Sequence, residues 1–454
     1  TEVEPGLADR YEVSDDGLSY TFHLHPDVKF HDGTPCDAVA VVFSFERQRD
    51  PEHPFHKLGG AYKYWGNMGM SDIVAKVEAV DPLTVKFTLK RPEAPFLAHP
   101  AMHFCSIVSP AAVRKWGEDY GRHPTGTGPF KFASWDPRQK IVLAKNPGYF
   151  KGAPEIDKLI YRVIPEANTR LMELKGGSIQ GFDNPSPFQL KAVENDPVIS
   201  VLTKPGMNVG YLAMNCRKKP FDDIRVRQAV AHAIDKQAII ADLYQGMGVA
   251  AKNPLPPSVW GYDDTVEDYP YDPAKAKELL DAAGVSDGFE TTLYAMPNPR
   301  PYMPSPEKVA EAIIADLAKV GIRAKMVTYD WATYLAKTEA GEHDMALLGW
   351  SGDNGDPDNF LYVLLSKEAT NPPATNIAFW EDDDFSTLVK QAKQETDKAK
   401  RADLYRQAQQ IFHRETPWVP LAHSVQVILM SKRVRGFTLY PTTRKDFRKV
   451  TLAD

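Results

Sequence analysis

The chain has 454 residues, too many for one ordinary core, so two or three lobes are expected. With 43% hydrophobic and 25% charged residues and a formal net charge of −6, it reads as globular, and the charge argues against a nucleic-acid partner. No apolar run approaches the length of a membrane span, and Cys36, Cys105 and Cys216 lie too far apart for a metal or redox motif. The first residues, Thr1-Glu2-Val3-Glu4-Pro5, lack the basic stretch and apolar core of a signal peptide.

The N-terminal section is β-rich. Asp16-Gly17 predicts a hairpin between residues 10–13 and 19–24. A helix should follow, capped by Thr34, opened by Pro35 and apolar at Val39, Val42, Phe43 and Phe45. Residues 73–80 and 83–90 form a second hairpin around Asp81-Pro82, completing a small α+β lobe over residues 1–125.

Strands are expected at 131–134, 139–145, 158–163 and 209–215, followed by helices that Asp223 and Asp235 can cap. These belong to a first large lobe, residues 126–264 with 426–454. From about residue 265 the pattern is α/β. Strand 289–296, a helix opened by Ser305-Pro306 and ended at Gly321, and strand 322–329 make a βαβ unit with parallel strands. A helix from Trp331 and a buried strand at 345–350 continue this second large lobe, residues 265–425, whose later part holds polar helices over 385–413. Strand-like stretches at 419–430 and 436–439 close the chain.

Chemistry converges just past two of these strands. Arg300 follows strand 289–296, and Asp353, in Ser351-Gly352-Asp353-Asn354-Gly355, follows strand 345–350. Open α/β sheets bind ligands beyond the carboxyl ends of their strands. A cation and an anion on one rim can hold the two ends of a zwitterion such as an extended peptide, and the Arg fork suits a carboxylate. Gly352 allows close approach of backbone, and Trp350 offers an aromatic wall. Two solvated surface charges are the plainer alternative from spacing alone.

Other signals are weaker. Gly126-Thr127-Gly128 lacks a third glycine, and Pro129 blocks a phosphate-binding helix start. His23, His25 and His31 fit an exposed strand face better than a metal site, and Asp353, Asp356 and Asp358 recur like a calcium loop that Pro357 interrupts and Leu364 leaves without its closing ligand. Neither metal nor cofactor is expected. No nucleophile-and-base signature of a hydrolase is visible, and a peptide hydrolase is the alternative from another class.

Four ordered stretches give the chain a resemblance to a known family. They are Leu7-Ala8-Asp9-Arg10-Tyr11 through Phe30-His31-Asp32-Gly33-Thr34-Pro35, Gly126-Thr127-Gly128-Pro129-Phe130, Pro220-Phe221-Asp222-Asp223-Ile224-Arg225, and Gly349-Trp350-Ser351-Gly352-Asp353-Asn354-Gly355-Asp356-Pro357-Asp358. Together they resemble the peptide-type extracellular solute-binding proteins of ABC importers, and the last resembles the dipeptide-binding branch. The resemblance implies a periplasmic-binding-protein clamshell of two large lobes and one small lobe, closing on ligand. It implies that Asp353 holds a peptide ammonium and Arg300 the carboxylate, with Ser351, Gly352 and Trp350 beside them. Side chains would enter roomy, hydrated pockets. The implied partners are a dipeptide or other short peptide and the permease subunits in the inner membrane, with the chain monomeric and periplasmic or lipid-anchored. Relatives that carry haem, glutathione or nickel complexes are the alternative within the class. Relatives also begin with several dozen further residues, so the first strands of the first large lobe are expected to precede residue 1, and no cysteine stands near Lys367 or Glu381 for the disulfides some relatives carry.

Overall fold

The structure is a computed structural model that describes residues 3–60 and 62–453. It divides into two compact units. One runs through Gln180 and takes in Ser431–Thr438 and the segment from Lys445 onward; the other comprises Gly181–Met430 with Leu439–Arg444.

In the first unit, β1 (Ala8–Val13), β2 (Ser19–Leu24), β3 (Val74–Asp81) and β4 (Thr84–Leu89) form an antiparallel sheet ordered β1-β2-β4-β3. Both expected hairpins are present, β1 with β2 and β3 with β4. The helix Ala38–Arg49 covers β3 and β4, and the Phe45 and Phe87 rings meet edge-on at 4.8 Å. This helix begins later than expected. Thr34 is not its cap: its hydroxyl donates to Asp32 at 2.6 Å, while Phe30 N–H donates to the Thr34 carbonyl and Cys36 N–H to that of Val28. Those backbone bonds hold residues 28–36 as a tight bridge, so Asp37 caps instead, accepting from Ala40 N–H at 3.0 Å. The later start turns Val39 outward, at 62% exposure, and buries Ala40 and Val41. A separate sheet holds β5 (Phe130–Asp136), β6 (Lys140–Lys145) and β7 (Lys158–Arg162).

The second unit is organised by an eight-stranded mixed sheet. Its strands are β8 (Gly181–Asp183), β9 (Ile199–Pro205), β10 (Asn208–Met214), β11 (Gly248–Ala250), β12 (Phe289–Tyr294), β13 (Ile322–Val327), β14 (Met345–Ser351) and β15 (Trp418–Ser431). The main path is β11-β15-β10-β14-β12-β13, with β8 and β9 also paired to β15. β12 and β13 are parallel, and the helix Pro306–Ala318 between them buries Val309, Ile313 and Leu317, as the sequence pattern predicted. Ser305 occupies the position before that helix, but its side chain makes no capping bond.

Every residue of β10 is buried, because β14 and β15 flank it on both edges. Those pairings set residues 208–214 and 345–351 in one sheet across the boundary expected near residue 265. The three-part division of the sequence reading therefore differs from this grouping, which also joins residues 126–180 to the first section. Strand pairing between distant segments is the reason, and it leaves no local mark in a sequence.

Candidate ligand-binding site

The parallel pair β12 and β14 is in register at Leu293 with Met345 and Tyr294 with Ala346, so both strands end on the same edge of the sheet. Antiparallel β10 starts at that edge, with Asn208 opposite Ser351. Arg300 and Asp353 thus belong to two loops leaving one rim.

The Arg300 loop is closed by its own backbone. Arg300 N–H donates to Met303 O and Met303 N–H to Arg300 O, each at 3.0 Å. Tyr302 then lies across two strands that carry glycine beneath it. A Cβ on Gly349 would stand 2.2 Å from Tyr302 Cδ2, and one on Gly210 would stand 2.7 Å from the Tyr302 carbonyl. The Tyr244 hydroxyl donates to Tyr302 O at 2.9 Å, and the Ser424 hydroxyl donates to Pro301 O. Ser424 is fixed in turn by Asn208, whose amide accepts from Ser424 N–H at 2.9 Å and donates to Ser424 O at 3.1 Å. The neighbouring His423 ring donates to Asn208 O at 2.8 Å, and burial lowers its pKa to about 4, so it is neutral.

The Arg300 guanidinium carbon sits 3.7 Å from the centroid of the Trp331 ring. Its Nε is buried, and among the described residues no acceptor takes it. The side chain is held by an aromatic face and, among the described residues, has no ion pair of its own.

The Asp353 loop is built differently. One oxygen, Asn359 Oδ1, accepts both Asp353 N–H and Trp350 Nε1–H at 3.0 Å, and Asn359 is fully buried. Gly352 N–H donates to Met207 O at 2.7 Å. The space beside Gly352 is filled by Phe360 and Met207, 2.7 and 2.8 Å from where a Cβ would be, so this glycine serves packing within the loop. Asn354 and Asp356 each accept the N–H two residues on, at 3.0 Å, which winds the loop through two side-chain turns.

Behind the loop lie two buried ion pairs. Asp356 takes both arms of the Arg401 fork at 2.9 and 3.0 Å, and Arg401 also donates to Ala392 O and the Tyr405 hydroxyl. Asp358 stands 3.9 Å from Lys393, and burial outweighs that cation to raise its carboxyl to about 6. The acids that resemble a calcium loop therefore diverge, two of them turned to buried cations.

Trp350 and Ser351 lie on the rim, half-buried, in the same strand end that leads to Asp353. Away from it, His23 meets Glu12 at 3.1 Å and His31 donates to Gly128 O at 2.9 Å. Burial raises all three thiols, Cys36 to about 12 and Cys216 to about 11, which withholds the thiolate a nucleophile needs. Sequence reasoning missed Trp331 and Asn359. An amide just before the apolar run Phe360-Leu361-Tyr362-Val363-Leu364-Leu365 was the available signal for Asn359; nothing local placed Trp331 under Arg300.

The class of protein is given by similarity to known ones. Residues 2–372 match the bacterial extracellular solute-binding proteins, family 5, and the chain belongs to that family. It is 44% identical to the dipeptide-binding protein of Escherichia coli, over 100% of this chain and 86% of that protein. It is also 44% identical to heme-binding protein A of Haemophilus influenzae, over 97% of this chain and 82% of the other. Among solved structures, the ABC transporter-associated periplasmic binding protein of Helicobacter pylori, in complex with the peptide STSA, superposes with a TM-score of 0.94. That match is at 40% identity and covers 100% of this chain and 90% of the other. The fold is the periplasmic-binding-protein class that the sequence resemblance implied. No helix among the described residues is long and apolar enough to cross a membrane.

Proposed function

We propose that this chain is the exported solute-binding subunit of an ABC importer, that it captures dipeptides, and that it hands them to the permease without chemical change. The observation that carries the reading is that the loops bearing Arg300 and Asp353 follow the carboxyl ends of adjacent parallel strands on one edge of the sheet. The dipeptide carboxylate is received by the Arg300 fork and the ammonium by Asp353. Trp350 and Ser351 lie at the strand end that leads to Asp353 and are the nearest wall on that side. Such a site reads the separation of the ligand's ends more than its side chains, since neither charge contacts them.

The identity to a haem-binding relative favours one second reading, in which Arg300 receives a haem propionate. Haem has no ammonium, so Asp353 separates the two. Isothermal titration of the protein with dialanine and with haem tests the proposal. Dialanine should bind, Asp353→Ala should abolish most of that binding, and intact-mass analysis should recover dialanine unchanged. Haem binding that is indifferent to Asp353→Ala, with no dialanine binding, would overturn it in favour of the second reading; turnover of dialanine would make the protein a hydrolase.

A further inference from the structure

We propose that Trp331 is the positioning residue for the carboxylate anchor: its ring fixes the Arg300 guanidinium flat, so that the free edge of the fork faces the ligand carboxylate. The inference rests on the dipeptide reading above and adds to it the residue that makes the site select for a free carboxylate.

Trp331 is the first residue of the helix Trp331–Glu339, and the helix start is locked. Asp330 caps it, its carboxylate accepting from Thr333 N–H at 3.2 Å. One turn on, the Tyr334 ring stacks on Trp331 with centroids 5.8 Å apart and planes at 10°. The Tyr334 hydroxyl reaches Leu347 O at 2.5 Å and Tyr294 O at 3.1 Å, which ties the aromatic pair to β14 and β12. The two strands that carry the charges are therefore also the strands that hold the ring.

Arg300 meets this ring face at 3.7 Å. A long cationic side chain without an acceptor ordinarily samples many rotamers, at a conformational cost each time it is ordered. Here one face is covered by the indole, and Nε is buried and unbonded among the described residues. A guanidinium lying along that face would leave its in-plane N–H groups for a planar acceptor, which is the geometry a bidentate carboxylate requires. A cation over an indole is also attracted to it, more strongly where water is excluded.

The test uses two ligands that differ only at one end. Dialanine carries the carboxylate; alanyl-alanine amide keeps the ammonium and peptide bond and lacks it. Isothermal titration of the parent, Trp331→Leu and Trp331→Phe measures both. Trp331→Leu should weaken dialanine by about three- to thirty-fold, the range of cation–π contacts from exposed to desolvated, and leave the amide within about two-fold. Trp331→Phe should restore part of the loss, and it keeps an aromatic ring in place should the leucine variant fold poorly. Equal weakening of both ligands, or parental affinity for dialanine in Trp331→Leu, would overturn the inference. A parent that does not prefer dialanine to the amide would instead sink the dipeptide reading, which separates the two failures.

Discussion

The two loops of the rim carry opposite charges and are stabilised by opposite means. The Arg300 loop is held by aromatic faces and by backbone: a reciprocal pair of backbone bonds, Tyr302 laid over Gly349 and Gly210, and an indole beneath the guanidinium. The Asp353 loop is held by polar groups: a buried amide, two side-chain turns and two buried ion pairs behind it. A cation can be fixed without an anion because an aromatic face attracts it, which leaves the full charge for a ligand. The Asp353 loop is fixed through its backbone by Asn359, and two cations behind it, Arg401 and Lys393, pair with Asp356 and Asp358.

This contrast predicts that the Asp353 loop depends on buried charge and that the Arg300 loop does not. The largest effect should come from Arg401→Ala, which leaves Asp356 buried without its fork. Removing one member of a buried pair costs about 3–5 kcal/mol, to be read from the urea midpoint. Retention of parental stability would mean that the pair does not hold the loop.

A pH series sharpens the same point. The Asp358 carboxyl is raised to about 6, so the folded state binds its proton more tightly than the unfolded chain does, and this group adds stability as pH falls from about 6 to about 4. His343 and His423, both lowered to about 4, act in the other direction: their neutral forms stabilise above pH 6.5, and that stability is lost as pH falls toward 4. Each group is worth up to about 3 kcal/mol, so Asp358 offsets roughly one histidine. Asp358→Asn should therefore steepen the acid loss of stability between pH 6.5 and 4, whereas equal slopes in parent and variant would deny Asp358 its raised value.

The smallest effect belongs to the Arg300 loop. Tyr244→Phe removes the donor to Tyr302 O and should cost about 1–2 kcal/mol of stability, with no pH dependence in this range. A loss comparable to that of Arg401→Ala would erase the contrast.

Much of this architecture was legible in the sequence where the signal is local. The βαβ unit around the helix Pro306–Ala318 followed from caps, glycine and periodicity, and both charged loops were placed because each directly follows a strand. The helix start at Ala38 was not, since the bridge over residues 28–36 competes with the apparent Thr34-Pro35 signal. Pairing of β10 with β14 joins segments far apart in the chain, and the Trp331 face under Arg300 depends on that same tertiary arrangement.

The central claim is that Arg300 and Asp353 each read one end of a dipeptide. The most direct measurement is a crossed titration of Arg300→Ala and Asp353→Ala against dialanine, alanyl-alanine amide and N-acetyl-alanyl-alanine. Each variant should lose about 2–5 kcal/mol toward dialanine. Arg300→Ala should cease to distinguish dialanine from the amide while still rejecting the N-acetyl ligand, and Asp353→Ala should show the reverse. Variants that lose affinity for all three ligands alike, with discrimination at both ends intact, would contradict the account.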